Sequence, residues 1–478
     1  MTLRSIILTA VGLLSTLMCR GADVVLTGPV DAAALNAVAA SGQTIGTLDL
    51  SGAEIVAYDG PRLVANLTHS PAGVLPAYVL SGLHASRILL PSGLTAIADG
   101  ALMGSDIEEV TIPASCDSIG RGAFASCTRL KSVTIPATAR RLGTHIFARC
   151  TALSSATVMA PVVPASTFAG CTALSTLTLG PKVKTIGADA FNECRSLTSV
   201  GFPTGLTGIG AGAFGHSGLR DVDLSVCHSL TSIGSEAFAY CPALTSASLP
   251  ASATHIGTGL FFDSTSLADV TLPTSLTTIP ALTLKGTAGP RYATDLIHEG
   301  VDSIGALALA GMDATRYLTL PSTLSHIADE GLAGMTSLST LDVSPLEQVP
   351  ALGADVFDGI DQPKVTLYTS EDMADIFMAA PQWREFKISS SETTLDQNIT
   401  PGKGTVRVRF DGTLLRAASE YGIASARLYD LSGHLVGSAT PAVPAAEVTI
   451  ETSAQASPLF ILTVTLADGA ETSVKLVR

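Results

Sequence analysis

The amino-acid sequence predicts an α/β solenoid of stacked repeats followed by a small antiparallel β-sandwich. One nine-residue phrase recurs, as Ile119-Gly-Arg-Gly-Ala-Phe-Ala-Ser-Cys127, Leu142-Gly-Thr-His-Ile-Phe-Ala-Arg-Cys150, Val163-Pro-Ala-Ser-Thr-Phe-Ala-Gly-Cys171 and Ile186-Gly-Ala-Asp-Ala-Phe-Asn-Glu-Cys194. The phenylalanines Phe124, Phe147, Phe168, Phe191, Phe214, Phe238 and Phe261 are spaced by 23, 21, 23, 23, 24 and 23 residues. A fixed period of that length marks units that stack because none buries its apolar face alone. After residue 404 the period disappears, and short alternating runs divided by Gly, Asp and Pro take its place.

The chain opens with a segment of export character, residues 1–22. Arg4 supplies a positive charge, and Ile6 to Met18 is an apolar run of about a dozen residues, short for a membrane span. Gly21 and Ala22 offer small residues for cleavage, while Cys19 leaves lipidation as the other possibility. No later stretch has the length and apolarity of a transmembrane helix, so the mature chain is expected to be exported without spanning a membrane. Residues 23–71 read as an N-terminal cap, with Asp31 at the start of a helix that runs to Ala40. End repeats must shield the open face of a stack, so they depart from the consensus.

Repeats occupy residues 72–363, about 12 of them at about 23 residues each. Each begins with a short strand whose alternation sets two residues inward, such as Val110 and Ile112, Val133 and Ile135, or Leu318 and Leu320. Proline closes many of these strands (Pro113, Pro136, Pro203, Pro250, Pro273 and Pro321), because it cannot donate to a ladder. Seven residues after the last inward position comes an Ile-Gly step. Five further on comes the Phe, expected to begin a helical turn and to wedge between layers. Around Ile297, Ile304 and Leu309 the register sets Asp295 inward, so a local bulge is expected there.

The pattern Ile-Gly-x-x-Ala-Phe-x-x-Cys-x-x-Leu-x-x-Val-x-Ile-Pro resembles the BspA-like leucine-rich repeats of bacterial surface proteins, over about residues 72–388. The resemblance implies a leucine-rich-repeat solenoid and a surface role in adhesion or host-component binding. Residues 364–388 look like that family's closing strand and helix, with Trp383 beside Phe386 as a plug for the cap.

Residues 389–404 read as a polar linker ending in Pro and Gly. Residues 405–478 hold alternating runs at 405–410, 424–429, 447–450, 459–466 and 473–477, the pattern of a small antiparallel sandwich. Arg427-Leu-Tyr-Asp-Leu-Ser-Gly433-His-Leu-Val436, together with Phe460 to Val464 and the terminal Lys475 to Arg478, resembles the sorting domain that ends cargo of the type IX secretion system. Pro458-Leu-Phe460 departs from that family's pattern, and a plain immunoglobulin-like end module is the alternative.

Composition excludes several functions. The chain is 46% hydrophobic and 14% charged, too apolar for disorder, and its net charge of -14 argues against nucleic acid and anionic membranes. Residues 401–478 contain seven Lys/Arg and seven Asp/Glu, so the whole excess lies upstream. Gly210-Ala-Gly212-Ala-Phe-Gly215 fits a dinucleotide fingerprint, but Gly210 is an Ile-Gly step and Phe214 a wedge, with no βαβ unit around them. Cys127, Cys150, Cys171, Cys194 and Cys241 all stand three residues after the wedge and form a column. Disulfides between neighbouring layers and free structural thiols are both compatible with it. Ser217 and Ser264 at the same position favour the second. His255 and His326 share a register but lie three repeats apart, and no catalytic or cofactor motif is found. No enzyme activity, cofactor or metal is therefore expected.

The outward side of the sheet is the remaining candidate. Its most informative positions are Thr111, Thr134, Thr178, Asp221, Asp223, Ser246, Ser248, Asp269, Thr271 and Tyr317. A hydroxyl-rich, weakly acidic sheet offers many hydrogen bonds, though Thr and Ser are also ordinary solvent-facing strand residues. The sequence therefore predicts an exported, non-catalytic cell-surface protein that binds an extracellular protein or matrix component. A glycan-capturing or envelope scaffold protein is the alternative.

Overall fold

The computed structural model describes residues 6–9, 21–293, 296–390, 406–410, 414–430, 435–441, 443–451, 459–467 and 471–477. Cys19, Asp295, most of the linker and Ser432 to His434 lie outside them. The chain forms two compact units: Met1–Leu367 with Ala379–Lys387, and Tyr368–Met378 with Ile388–Arg478.

The first unit is a parallel β-solenoid. Counted with its end layers it has about 16 turns, more than the 12 periodic repeats, because capping layers stack in the same ladder without carrying the consensus. Strands from successive layers pair in parallel and in register, for example Arg87 with Glu109, Glu109 with Ser132, Ser132 with Ser155 and Ser155 with Thr176. This sheet has three runs. The first reaches Thr176–Leu179, and the second joins Asp221–Asp223, Ser246–Ser248 and Asp269–Thr271. The third includes Tyr292–Ala293, Tyr317–Thr319 and Thr340–Asp342. Residues 198–201 form no strand between the first two runs; Gly201 there has no side chain to hold a pleat. Ile6–Thr9, inside the segment of export character, pairs in parallel with Val24–Val30.

The wedge residues fill the core as expected. Phe124, Phe147, Phe168, Phe191, Phe214, Phe238 and Phe261 are fully buried. Their rings stack face to face, with centroids 5.0 to 5.9 Å apart along the series. Leu80, Leu102, Leu284, Leu309 and Leu332 continue the column where the phenylalanines stop, also fully buried.

The expected helical turn after each Phe is not formed, and the α/β description is corrected on this point. Among the described residues the α-helices are Ala32–Ala40 and Glu371–Ala379, both outside the repeats. In the repeats, the residues two before and two after the wedge both have positive φ, which interrupts any right-handed helix. Around Phe147 these are His145 (φ 60) and Arg149 (φ 61); around Phe191 they are Asp189 (φ 53) and Glu193 (φ 60). This alternation turns every second N–H toward the next layer. Gly122, Phe124 and Ser126 donate to the carbonyls of Thr144, Ile146 and Ala148 at 2.9, 2.9 and 2.7 Å. The turn side of the solenoid is thus a hydrogen-bonded ladder in its own right.

The Ile-Gly step builds a second ladder on another side. It runs from Val74–Leu75 to Arg141–Leu142, then from Val162–Val163 to His255–Ile256, then from Thr278–Ile279 to Ala351–Leu352. At an unbroken step the glycine N–H donates across layers, as Gly187 does to Val163 at 2.7 Å and Gly257 to Ile233 at 2.8 Å. Both interruptions fall where proline takes that place, at Pro164 and Pro280, and proline has no N–H to give.

The ends are closed by side chains. Asp31 caps the first helix by accepting from the Ala34 N–H at 2.9 Å, as its position in the sequence predicts. At the far end Trp383 is 1% exposed and meets Phe357 edge to face at 5.0 Å. Gln382 replaces a missing layer: its Oε1 accepts from Val356 N–H at 3.0 Å and its Nε2 donates to Gly353 O at 2.8 Å.

Among the described residues of the second unit, six antiparallel strands cover Val406–Phe410, Leu414–Asp430, Leu435–Ala439, Ala445–Glu451, Leu459–Leu466 and Glu471–Val477. The 17-residue strand Leu414–Asp430 is shared between two sets of partners. Its first part pairs with Val406–Phe410 and Ala445–Glu451, its second with Leu435–Ala439 and Leu459–Leu466, and the register shifts near Gly422 (φ 70). Leu415, Ile423, Leu428, Val448, Ile450, Leu462 and Val464 make its core.

Candidate binding face

Along the strands of the solenoid sheet the inward residue is buried, or half-buried at Leu177 and Val270, and its neighbours face out, so stacking turns the outward residues into two columns. Layers along such a ladder repeat at about 4.8 Å. In the first run Ser132, Ser155 and Thr176 share one column and Thr134, Thr157 and Thr178 the other. Thr134 and Thr178 are therefore joined only through Thr157. Thr111 is exposed but lies just beyond the short strand Glu109–Val110. At this end of the face Glu108 accepts hydrogen bonds from Lys131 Nζ at 2.6 Å and from Arg129 Nη2, and Lys131 first, then Arg129, holds its carboxyl below the usual range.

The second run collects six of the predicted residues. Asp221, Ser246 and Asp269 stand in one column, and Asp223, Ser248 and Thr271 in the other. Val222 and Ala247 beneath them are buried. The two aspartates of the first strand are not equivalent. Asp223 Oδ1 accepts from Ser225 Oγ at 2.6 Å and Ser225 N–H at 3.0 Å, and these bonds, the side-chain one first, lower its pKa. Asp342 does the same with Ser344, at 2.7 and 3.0 Å, and Asp49 accepts from the Ser51 N–H at 2.8 Å. Asp-x-Ser is thus a second strand-ending device beside the prolines. One oxygen of Asp223 is committed to it, whereas Asp221 and Asp269 carry exposed carboxylates.

Tyr317 lies in the third run, away from these columns. It pairs with Tyr292 and Thr340, and its hydroxyl donates to Asp342 Oδ2 at 2.7 Å. Sequence reasoning missed Asp342 as its partner, although the Asp342-Val-Ser344 pattern was legible.

The cysteine column is internal. Cys116, Cys127, Cys150, Cys171, Cys194, Cys227 and Cys241 are buried and free. Cys150, Cys171 and Cys241 each donate from Sγ to the carbonyl of the wedge Phe one layer back, at 3.2, 3.2 and 3.3 Å. Ser264 makes the same bond through Oγ to Phe238 O at 2.9 Å. Burial pushes the Cys150 and Cys194 thiols well above their ordinary values. Among the described residues no group of three or more His, Cys, Asp and Glu side chains is placed to hold a metal ion, and no helix is long and apolar enough to cross a membrane. Gly210, from the fingerprint-like run, lies in the stack itself: a Cβ there would come within 2.4 Å of the Ala188 nitrogen.

Three comparisons bear on this geometry. The family model for the BspA type leucine rich repeat region matches in six copies, over residues 74–163, 161–288 and 295–399. No curated protein matches the chain. Among solved structures, a leucine-rich repeat protein from Bacteroides ovatus shares 20% identity over 76% of this chain and 87% of that one, with a TM-score of 0.57. A leucine rich cell surface protein from Faecalibacterium prausnitzii shares 21% identity over 59% of this chain and 86% of that one, with a TM-score of 0.33. The repeated phrase, the stacked wedges and the family match lead to one conclusion: this chain belongs to the BspA-type leucine-rich-repeat family.

Proposed function

We propose that this chain is a non-catalytic, exported cell-surface protein whose solenoid sheet binds an extracellular protein or matrix component. The observation that carries this reading is the second sheet run, where Asp221, Ser246 and Asp269 line up beside Asp223, Ser248 and Thr271 on a rigid, in-register surface. Such columns present carboxylates and hydroxyls at fixed spacing, which suits a partner rich in N–H donors or basic side chains. Export is supported by the apolar run from Ile6 to Met18 behind Arg4. The resemblance of the C-terminal residues to a type IX sorting domain supports an outer-surface destination, and that unit has the antiparallel character such a domain needs.

The test is a binding panel of matrix proteins against the purified chain, repeated with the D221N/D269N double variant. The expected result is binding to a basic partner that weakens at least about tenfold in the variant, the loss of roughly 1.4 kcal/mol. Binding that is indifferent to both substitutions refutes the assigned face. Deleting residues 405–478 tests the address: normal surface display of the truncated chain refutes the sorting role.

A further inference from the structure

The two interruptions of the second ladder have a consequence for its apolar floor. Where the ladder is continuous, the step residue is covered by the layer above: Ile119, Ile186, Ile209 and Ile233 are 0 to 3% exposed. Where Pro164 and Pro280 break it, the residue below loses that cover, and Leu142 and Ile256 are only half-buried. At Pro280 the result is an open hollow of about 520 Å³, within the range of roughly 300–1,000 Å³ typical of small-molecule sites.

Its apolar lining is Ile209, Ile233, Ile256, Leu276 and Pro280, with Ile256 and Leu276 contributed by the two layers that flank the break. Its rim carries the hydroxyls of Ser232, Thr254, Ser275, Thr277 and Thr278 and the imidazole of His255, with no Asp, Glu, Lys or Arg among the lining residues. Thr254 Oγ1 lies 2.9 Å from His255 Nδ1, which fixes the ring and leaves Nε2 for another partner. An uncharged ring of donors and acceptors around an aliphatic floor suits a ligand with the same division: hydroxyls at its edge, C–H groups on its face, and no net charge. A charged ligand would find no counter-charge here. A peptide strand has no room to insert between the facing edges of His255–Ile256 and Thr278–Ile279, because the two layers are bonded directly on either side of the gap, Ser275 Oγ to Ala253 O at 3.3 Å and Gly259 N–H to Ala281 O at 2.9 Å.

We propose that this hollow is a binding site for a neutral saccharide, one or two rings of a glycan. The ring face rests on Ile256 and Leu276, and the hydroxyls bond to the Thr254–His255 side and to the Thr277–Thr278 side. The site draws no residue from the hydroxyl columns of the sheet, so its success or failure is independent of the protein-binding role of that face.

The experiment uses the full chain and a panel of neutral mono- and disaccharides, read by saturation-transfer NMR and titration. H255A and T254V remove rim contacts at exposed positions. P280G restores the N–H donor and the glycine of an ordinary step, so that the layer can close over Ile256. H326A, at the same register in another layer, is the control. The expected result is binding of at least one saccharide that falls about tenfold or more in H255A, T254V and P280G, holds in H326A, and leaves the melting temperature of the rim variants within about 2 °C. Absence of binding by the whole panel, binding indifferent to H255A and T254V, or preferential binding of unstructured peptides to the same residues overturns the assignment.

Discussion

Replacing Phe168 by alanine removes one ring from the middle of the wedge column. Phe168 is fully buried, and its ring lies 5.5 Å from that of Phe147 and 5.4 Å from that of Phe191. Both neighbours are held by layer-to-layer hydrogen bonds, so neither can slide in to fill the space. Phe-to-Ala changes at such sites cost about 3–5 kcal/mol, and two lost ring contacts place this one near the upper end, at about 4–5 kcal/mol. Leucine is the informative comparison, because Leu284 and Leu309 fill the same wedge elsewhere. F168L should cost only about 1–1.5 kcal/mol. Urea unfolding gives the total, and amide exchange gives its distribution: stability in a stack is set mainly by nearest neighbours, so protection should fall in the layers around residues 147–191 and persist near residue 320. A loss below about 1 kcal/mol for F168A, or an equal loss in every layer, would refute the wedge argument.

Other expectations follow from the same geometry. Leu282 and Leu307 adopt φ 63 and φ 56, a conformation that costs a side chain about 1–2 kcal/mol, so L307G should be neutral or stabilising and L307V destabilising by more than about 1 kcal/mol in thermal unfolding. Asp223 has its pKa lowered on folding, so its contribution is present above the unfolded value of about 3.9 and is lost as pH falls through the folded value. Wild-type and D223A stabilities should therefore converge in strong acid, and a gap that widens there contradicts the Ser225 bond. Cys150 and Cys194 should resist a thiol reagent at about pH 8 in the folded chain and react fully in denaturant. C171S should cost less than about 1 kcal/mol, since Ser264 already makes the equivalent bond.

The stack was legible because its signals are periodic. The Phe spacing, inward pairs and prolines after Ile112 and Leu320 each point to the same layer, and the layer is what forms. The turn side was not legible. A Phe flanked by Ala and Ser resembles a helix start, and nothing in His145, Asp189 or Glu193 announces a left-handed backbone; that conformation comes from the need to direct every second N–H to the next layer. The ladder breaks had a visible cause, since Pro164 and Pro280 replace the step glycine, but a single missing donor gains meaning only when the layers around it are in place. In the second unit, Gly422 hides the first half of the strand Leu414–Asp430, and Gly437 and Ser438 hide the alternation of Leu435–Ala439, so five runs are legible where the described residues form six strands.

The candidate face was legible as a set of outward positions but not as a ranking, and the reason lies in how a solenoid reuses its side chains. An outward residue does structural work when the same bond recurs in other layers. Asp223 meets that criterion, because Asp49 and Asp342 end their own strands in the same way. Asp221 and Asp269 do not: they flank Ser246, and their side chains are exposed. Carboxylates two strands apart, roughly 10 Å along the ladder, with no basic residue between them repel weakly, which costs the fold a little and gives it nothing. A cationic group seated over Ser246 would reverse the sign of that interaction. Of the predicted residues, Asp221 and Asp269 are therefore the pair whose replacement should separate binding from stability.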